Sequence, residues 1–156
     1  MAKIFRFSPI TRRRIHKFKQ LKRAYYSLII LLVTYFISLF ANFIANDQPL
    51  LVRYEGRYFF PVLRFYDGSH FGLDQATKPN YKELKRSPAF AKGAGNFMVF
   101  PLVPYGPNET IRDLPGYPPT PPTAKNILGT DDRGRDIFTR LLYGYRISFS
   151  FALLIT

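Results

Sequence analysis

The sequence predicts an α-helical membrane protein with one complete transmembrane helix. An extracytoplasmic loop with a β-hairpin and a Pro-rich spacer follows, then an interfacial amphipathic helix and the start of a second transmembrane helix. Three observations carry this. Ala24 to Asn46 holds no charge between Arg23 and Asp47, the basic residues crowd ahead of that run, and Ile147 to Thr156 is a second uncharged apolar stretch.

The expected division is a basic cytoplasmic tail (1–23), transmembrane helix 1 (24–46), an extracytoplasmic loop (47–129), an interfacial helix (130–146) and the start of transmembrane helix 2 (147–156). As a helix the first run is roughly 34 Å long, enough to cross a hydrocarbon core of about 30 Å with some tilt. A core helix of a soluble protein is usually shorter and striped, and Ser27, Thr34, Ser38 and Asn42 are too mild to make a polar stripe. A signal peptide has a shorter apolar core and a small-x-small cleavage site, which Asn42-Phe43-Ile44-Ala45 does not offer.

Hydrophobic residues make up 47% of the chain and the formal net charge is +13, so the placement of charge decides its meaning. Lys3, Arg6, Arg12, Arg13, Arg14, Lys17, Lys19, Lys22 and Arg23 all precede the first acidic residue, Asp47. A short tail of that kind before a first span is retained on the cytoplasmic side. Nucleic acid is the rival partner for Arg12, Arg13 and Arg14, but a tail abutting an apolar span favours anionic lipid headgroups. Tyr25 and Tyr26 suit an interfacial aromatic belt, and a short surface helix is expected over Arg12 to Arg23.

The membrane exit falls at Asn46-Asp47-Gln48-Pro49, a cluster that ends helices. Leu50 to Leu63, broken at Glu55-Gly56, reads as two short strands around a tight turn. Between Arg64 and Asn96 turn residues dominate, including Gly93-Ala94-Gly95, and only Tyr81 to Arg86 has helical character. From Pro101 to Gly129 prolines recur at 101, 104, 107, 115, 118, 119, 121 and 122, which predicts a semi-rigid extended spacer with polyproline character. Next, Asp131 or Asp132 is placed to cap a helix over Gly134 to Tyr145, with Asp136 favouring its positive end. Ile137, Phe138, Leu141, Leu142 and Tyr145 form its apolar side, and Gly144 permits a bend before the second span.

The residues offer no catalytic chemistry. His16 and His70 lie in the tail and the loop, no P-loop is present, and the chain has no cysteine. Catalytic, cofactor-binding and metal-binding residues are therefore expected to be none. For Asp131, Asp132 and Asp136, capping and pairing with Arg133 or Arg135 outweigh cation binding.

Leu128, Gly129, Thr130, Asp131, Gly134, Arg135 and Asp136, with Arg140, Tyr143, Gly144, Arg146 and Ser148, fall in one register. That register resembles the signature LGTDxxGRDxxxRxxYGxRxS of peptide-importing ABC transporter permeases, C-type subunit of the dipeptide and oligopeptide class. Ile44 to Asp47, Pro49 to Tyr54 and Tyr58 to Pro61 are similar to the long-loop subgroup linked to microcin C and oligopeptide uptake, the YejE-like subunits. The resemblance implies a bacterial inner-membrane permease subunit of six spans, with a cytoplasmic N-terminus and a periplasmic loop. It implies assembly with a second permease subunit, two ATPase subunits that hydrolyse the ATP, and a periplasmic peptide-binding protein. It gives the motif residues a structural role. Because ten apolar residues after Arg146 are too few to span a bilayer, the expectation is the N-terminal part of such a subunit, not competent for transport alone. The alternative is a single-pass anchored extracytoplasmic binding or scaffolding protein.

Overall fold

A computed structural model describes residues 8–74, 76–91 and 95–155. The chain divides into two compact units, Met1–Ile37 and Ser38–Thr156.

In the first unit, α1 (Pro9–Gln20) starts three residues earlier than the charge pattern suggested. Ser8 caps it, its hydroxyl accepting from the Thr11 amide, and Pro9 sits at the first helical position, where a missing N–H costs nothing. Leu21, with ψ 75°, interrupts the helix before α2 (Lys22–Leu39) begins. A single helix over Arg12 to Arg23 is thus replaced by two helices with a break between them. Across the break the Phe18 ring meets Tyr25 edge-on at 6.5 Å, and Tyr25 lies 6.0 Å from Tyr26.

Among the described residues α2 is the one helix long and apolar enough to cross a membrane. Leu28 to Val33, Phe36, Ile37 and Leu39 are all exposed, the reverse of a soluble core helix. The apolar run does not continue as one helix to Asn46. A turn at Phe40 leads to the four-residue α3 (Ala41–Ile44), after which Ala45 is extended. The reason is competition for backbone groups: the Asn46 amide donates to Val103 O at 3.1 Å and the Val103 amide to Ile44 O at 3.0 Å. These bonds draw the end of the run into the loop's own fold.

The hairpin forms as expected, with β1 (Leu51–Tyr54) antiparallel to β2 (Arg57–Phe59). Glu55 and Gly56 both have positive φ, 49° and 77°, as a tight turn matching strand twist requires. A third strand, β3 (Phe97–Val99), escaped the sequence pattern because no adjacent turn joins it to its partner strand. It pairs antiparallel with β1, which makes β1 the centre of a β2-β1-β3 sheet. The helix expected over Tyr81 to Arg86 is α4 (Tyr81–Arg86), capped by Asn80. Single 3₁₀ turns occupy Gly68–Phe71 and Pro88–Phe90. Of the expected Gly93-Ala94-Gly95 turn, Gly93 and Ala94 lie outside the described residues.

One core holds this unit. Val52 of β1 and Met98 of β3 pack with Phe71, Tyr81 and Leu84, flanked by Tyr54, Phe59, Tyr66 and Phe90. Phe71 is the hub, its ring 5.1 Å from Phe59 and 5.8 Å from Tyr54 and from Tyr81. Each such side chain contributes about 1.5–3 kcal/mol on burial, and burial pushes the Tyr81 phenol up to about 12. The outer side of α4 is tied to the segment that follows: Lys82 pairs with Glu109 at 2.6 Å and lies 4.3 Å from the Tyr105 ring centre.

The expected interfacial helix and second span are one element. α5 (Ile137–Ile155) runs unbroken through Gly144, so the predicted bend there is absent. A glycine inside a helix costs about 1 kcal/mol against alanine but does not end it when good helix formers flank it. Leu141 and Leu142 precede Gly144, and Ile147 follows within a turn. At 19 residues α5 is no shorter than α2, but Arg140 and Arg146 lower the hydropathy of its first half and leave it less apolar than a membrane span requires.

Candidate functional site

The motif residues form a knot of buried polar groups at the start of α5. Asp136, fully buried, caps that helix: its Oδ2 accepts from the Thr139 amide and the Thr139 hydroxyl, both at 2.8 Å. Its Oδ1 accepts from Asn126 Nδ2 at 3.0 Å. The cap is therefore Asp136, and the expectation that Asp131 or Asp132 caps the helix is corrected. Ile137, not Gly134, is the first helical residue.

Asp131 organises the turn ahead of the helix instead. Its Oδ1 accepts from the Arg133 and Arg135 amides at 3.0 and 2.9 Å, and its Oδ2 pairs with the Arg135 guanidinium at 2.8 Å and with Arg140. Burial pulls the Asp131 carboxyl upward, but the backbone and side-chain bonds from Arg135, with those from Arg133 and Arg140, outweigh it and hold the group well below the usual carboxylate range. Asp132 is exposed and takes no part.

Two glycines are required by this packing. Gly129 has φ +74°, and a Cβ there would lie 2.4 Å from the Thr120 carbonyl oxygen. At Gly134, φ +71°, a Cβ would press on Leu114 and Pro118 at 3.2 and 3.3 Å. Close approach at Gly129 lets the Thr130 amide donate to Thr120 O at 3.1 Å, while the two threonine hydroxyls meet at 2.9 Å. Both threonines and Asn126 are buried. The Pro-rich stretch is thus fastened along its second half and is more than a spacer.

Further along α5, the Tyr143 hydroxyl shares its proton between Asn42 Oδ1 at 2.8 Å and Ala45 O at 3.0 Å, joining α5 to α3. Arg146 lies over the Tyr143 ring at 4.9 Å. Gly144 and Ser148 are exposed, as is Leu128, and none of the three joins the knot. Thr120, Asn126 and Thr139 do join it and were missed: the first two lie in a Pro-rich segment and the third on the polar side of a helix, and neither setting signals burial until the partner is placed. Among the described residues no cluster of His, Asp or Glu is arranged to hold a metal. Every carboxylate oxygen of Asp131 and Asp136 has a donor, so the arrangement holds structure and leaves no group free for acid–base chemistry.

The chain resembles characterised proteins over nearly its whole length. The chain is similar to the inner membrane ABC transporter permease protein YejE of Escherichia coli K12, with 38% identity over 97% of this chain and 44% of that protein. It is similar to the peptidoglycan transport system permease protein YejE of Agrobacterium fabrum, with 33% identity over 96% of this chain and 45% of that protein. A shorter match, 44% identity over 50 residues, joins 30% of this chain to 17% of the dipeptide transport system permease protein DppC of Escherichia coli K12. The chain thus spans less than half the length of these relatives. No family model and no solved structure matches it. Over nearly its whole length the chain is thus similar to part of each of two YejE ABC transporter permeases, and over a shorter stretch to a dipeptide permease.

Proposed function

We propose that the chain is the N-terminal part of the permease subunit of a peptide-importing ABC transporter in the bacterial inner membrane. The observation that carries this is 38% identity over 97% of the chain to a protein named as an inner membrane ABC permease. In this reading α2 crosses the bilayer, residues 1–23 are cytoplasmic and residues 47–146 are periplasmic. The positive charge before Asp47 supports that orientation, and the exposed apolar surface of α2 supports immersion in lipid.

The role is structural within transport: the knot at Asp131 and Asp136 sets where α5 starts, and Tyr143 sets where it meets α3. Partners are a second permease subunit, two ATPase subunits that hydrolyse the ATP, and a periplasmic peptide-binding protein that delivers the substrate. Peptides are the substrate class, and the Agrobacterium relative is named for peptidoglycan transport.

Because the chain has no cysteine, introduced ones report singly. A cysteine at Ser69, which is exposed, labels with an impermeant thiol reagent in intact spheroplasts, and one at Ser8 labels only after lysis. The reverse pattern defeats the orientation. For function, residues 1–156 replace the matching segment of the Escherichia coli YejE permease, and peptide uptake is measured. A chimera that assembles with its partner subunits yet imports nothing refutes the assignment.

A further inference from the structure

The sequence points the basic tail towards anionic headgroups, and the structure shows how helix α1 arranges it. On a helix of 3.6 residues per turn, Arg12, His16 and Gln20 form one row, and Arg13 and Lys17 form the row beside it. These residues and Pro9 line a shallow open concavity. Ile10, Ile15, Phe18 and Leu21 fall on the other side, with Arg14 among them on a stem long enough to return its guanidinium to the polar layer, and Ile10 is 66%, Ile15 41% and Leu21 63% exposed. The helix holds Arg12, Arg13, Arg14, Lys17 and Lys19 and no acidic residue, and it buries no side chain of its own.

Those facts are in tension for a helix in water. A 12-residue helix with five cations and no buried face is too short to be stable by propensity alone. Something must neutralise one side and cover the other. The break at Leu21 limits the choice, because it separates α1 from the continuous apolar α2, and Phe18 packs on Tyr25 at the first turn of α2. Phe18 therefore lies at the depth where α2 enters lipid, and the apolar side of α1 is continuous with the tyrosine pair at that level.

We infer that α1 lies in the headgroup layer of the cytoplasmic leaflet, with Ile10, Ile15, Phe18 and Leu21 directed to the acyl chains and anionic phospholipid as the partner of its basic residues. This rests on the reading of α2 as a membrane anchor. An anionic leaflet supplies both requirements at once, phosphate for the cations and an apolar boundary for the opposite side. Nucleic acid satisfies only the first. His16 donates to or accepts from Gln20 at 3.3 Å, which keeps this row of the helix polar along its length.

The test places spin labels one at a time at cysteines introduced at Ile10, Ile15, His16, Gln20 and, within α2, Leu32. The chain is reconstituted in nanodiscs of phosphatidylcholine alone or with one third phosphatidylglycerol, and collision with a water-soluble relaxant is compared with collision with oxygen. With phosphatidylglycerol, labels at Ile10 and Ile15 become oxygen-accessible while those at His16 and Gln20 stay water-accessible, and in phosphatidylcholine alone the difference shrinks. Replacing Arg12, Arg13 and Lys17 by Gln, a good helix former, lowers the ratio of docked to free α1 by about fivefold per charge. Labels at Ile10 and Ile15 that remain water-accessible in both lipids overturn the inference, as does lipid docking unchanged by the triple replacement. Shielding by added RNA oligonucleotide in place of anionic lipid overturns it as well. The Leu32 label separates the two readings: if it enters the bilayer while α1 does not, only this inference fails, and if it stays in water the membrane anchor itself is wrong.

Discussion

Gly129→Ala and Gly144→Ala make opposite predictions about two glycines of the same motif. At Gly129 the new methyl group would lie 2.4 Å from Thr120 O, 3.1 Å from the Pro121 carbonyl carbon and 3.2 Å from Pro122 N, all backbone atoms with no rotamer to adjust. The left-handed φ of +74° adds about 1–2 kcal/mol for any residue with a Cβ. Overpacking against fixed atoms adds about 1–3 kcal/mol, and relief by movement breaks the Thr130 to Thr120 amide bond. A loss of about 2–5 kcal/mol is expected, which for a unit of this size lowers the melting temperature by roughly 8 °C or more. At Gly144 nothing lies within 4 Å of the new Cβ and the backbone is helical, so alanine stabilises by about 1 kcal/mol. Thermal unfolding followed by far-ultraviolet circular dichroism in detergent micelles reads both. Unchanged melting in Gly129→Ala refutes the close approach of residues 120 and 129. Destabilisation by Gly144→Ala refutes the continuous helix and restores the bend.

Two further outcomes follow from the same knot. The Asp131 carboxyl is held below its unfolded value of about 3.9, so its stabilisation is complete above that pH and is lost as the pH falls towards the folded value. Asp131→Asn should cost about 1.5–3 kcal/mol at neutral pH and flatten the acid limb of a stability-against-pH curve; an acid limb of the same slope contradicts the pairing. Tyr143→Phe removes the hydroxyl that bonds Asn42 and Ala45, where Ala45 is fully buried, at a cost of about 1–3 kcal/mol. Hydrogen exchange at the Asn46 and Val103 amides should accelerate, and unchanged exchange there would detach α5 from the α3 end.

What the sequence made legible was whatever depends on neighbours in the chain. Glu55-Gly56 between β-forming residues is enough for a hairpin, and Asn80 ahead of Tyr81 to Arg86 is enough for a capped turn of helix. β3 was hidden because Phe97 to Val99 is a strand only by virtue of lying beside β1, more than 40 residues earlier in the chain. The apolar run misled at its end for the same reason: Phe40 to Asn46 reads as lipid-facing helix, but Val103 takes its backbone groups. At the motif, the sequence puts Asp131 or Asp132 at the helix cap and Asp136 where it favours the dipole, whereas Asp136 is the cap and Asp131 closes the turn before it. Local spacing cannot tell a carboxylate that caps a helix from one that closes the preceding turn.

That difference between the two aspartates explains why the motif needs so many residues to start one helix. Asp136 alone would satisfy the Thr139 amide, but a buried carboxylate is costly unless all its lone pairs are used. Asn126 supplies the missing donor, and it comes from the Pro-rich segment. Asn126 can reach Asp136 only if residues 120–130 fold back, which Gly129 permits and the Thr120 and Thr130 hydroxyls hold. Arg135 must then be kept out of the buried layer, and Asp131 does so by taking its guanidinium together with that of Arg140 from the first turn of α5. The start of the helix is consequently fixed by contacts to residues 10 or more positions away, so the loop and α5 are one mechanical piece. A displacement of residues 120–130 is therefore coupled to α5 through Asn126 and Asp136, and α5 is coupled through Tyr143 to the end of the first apolar run.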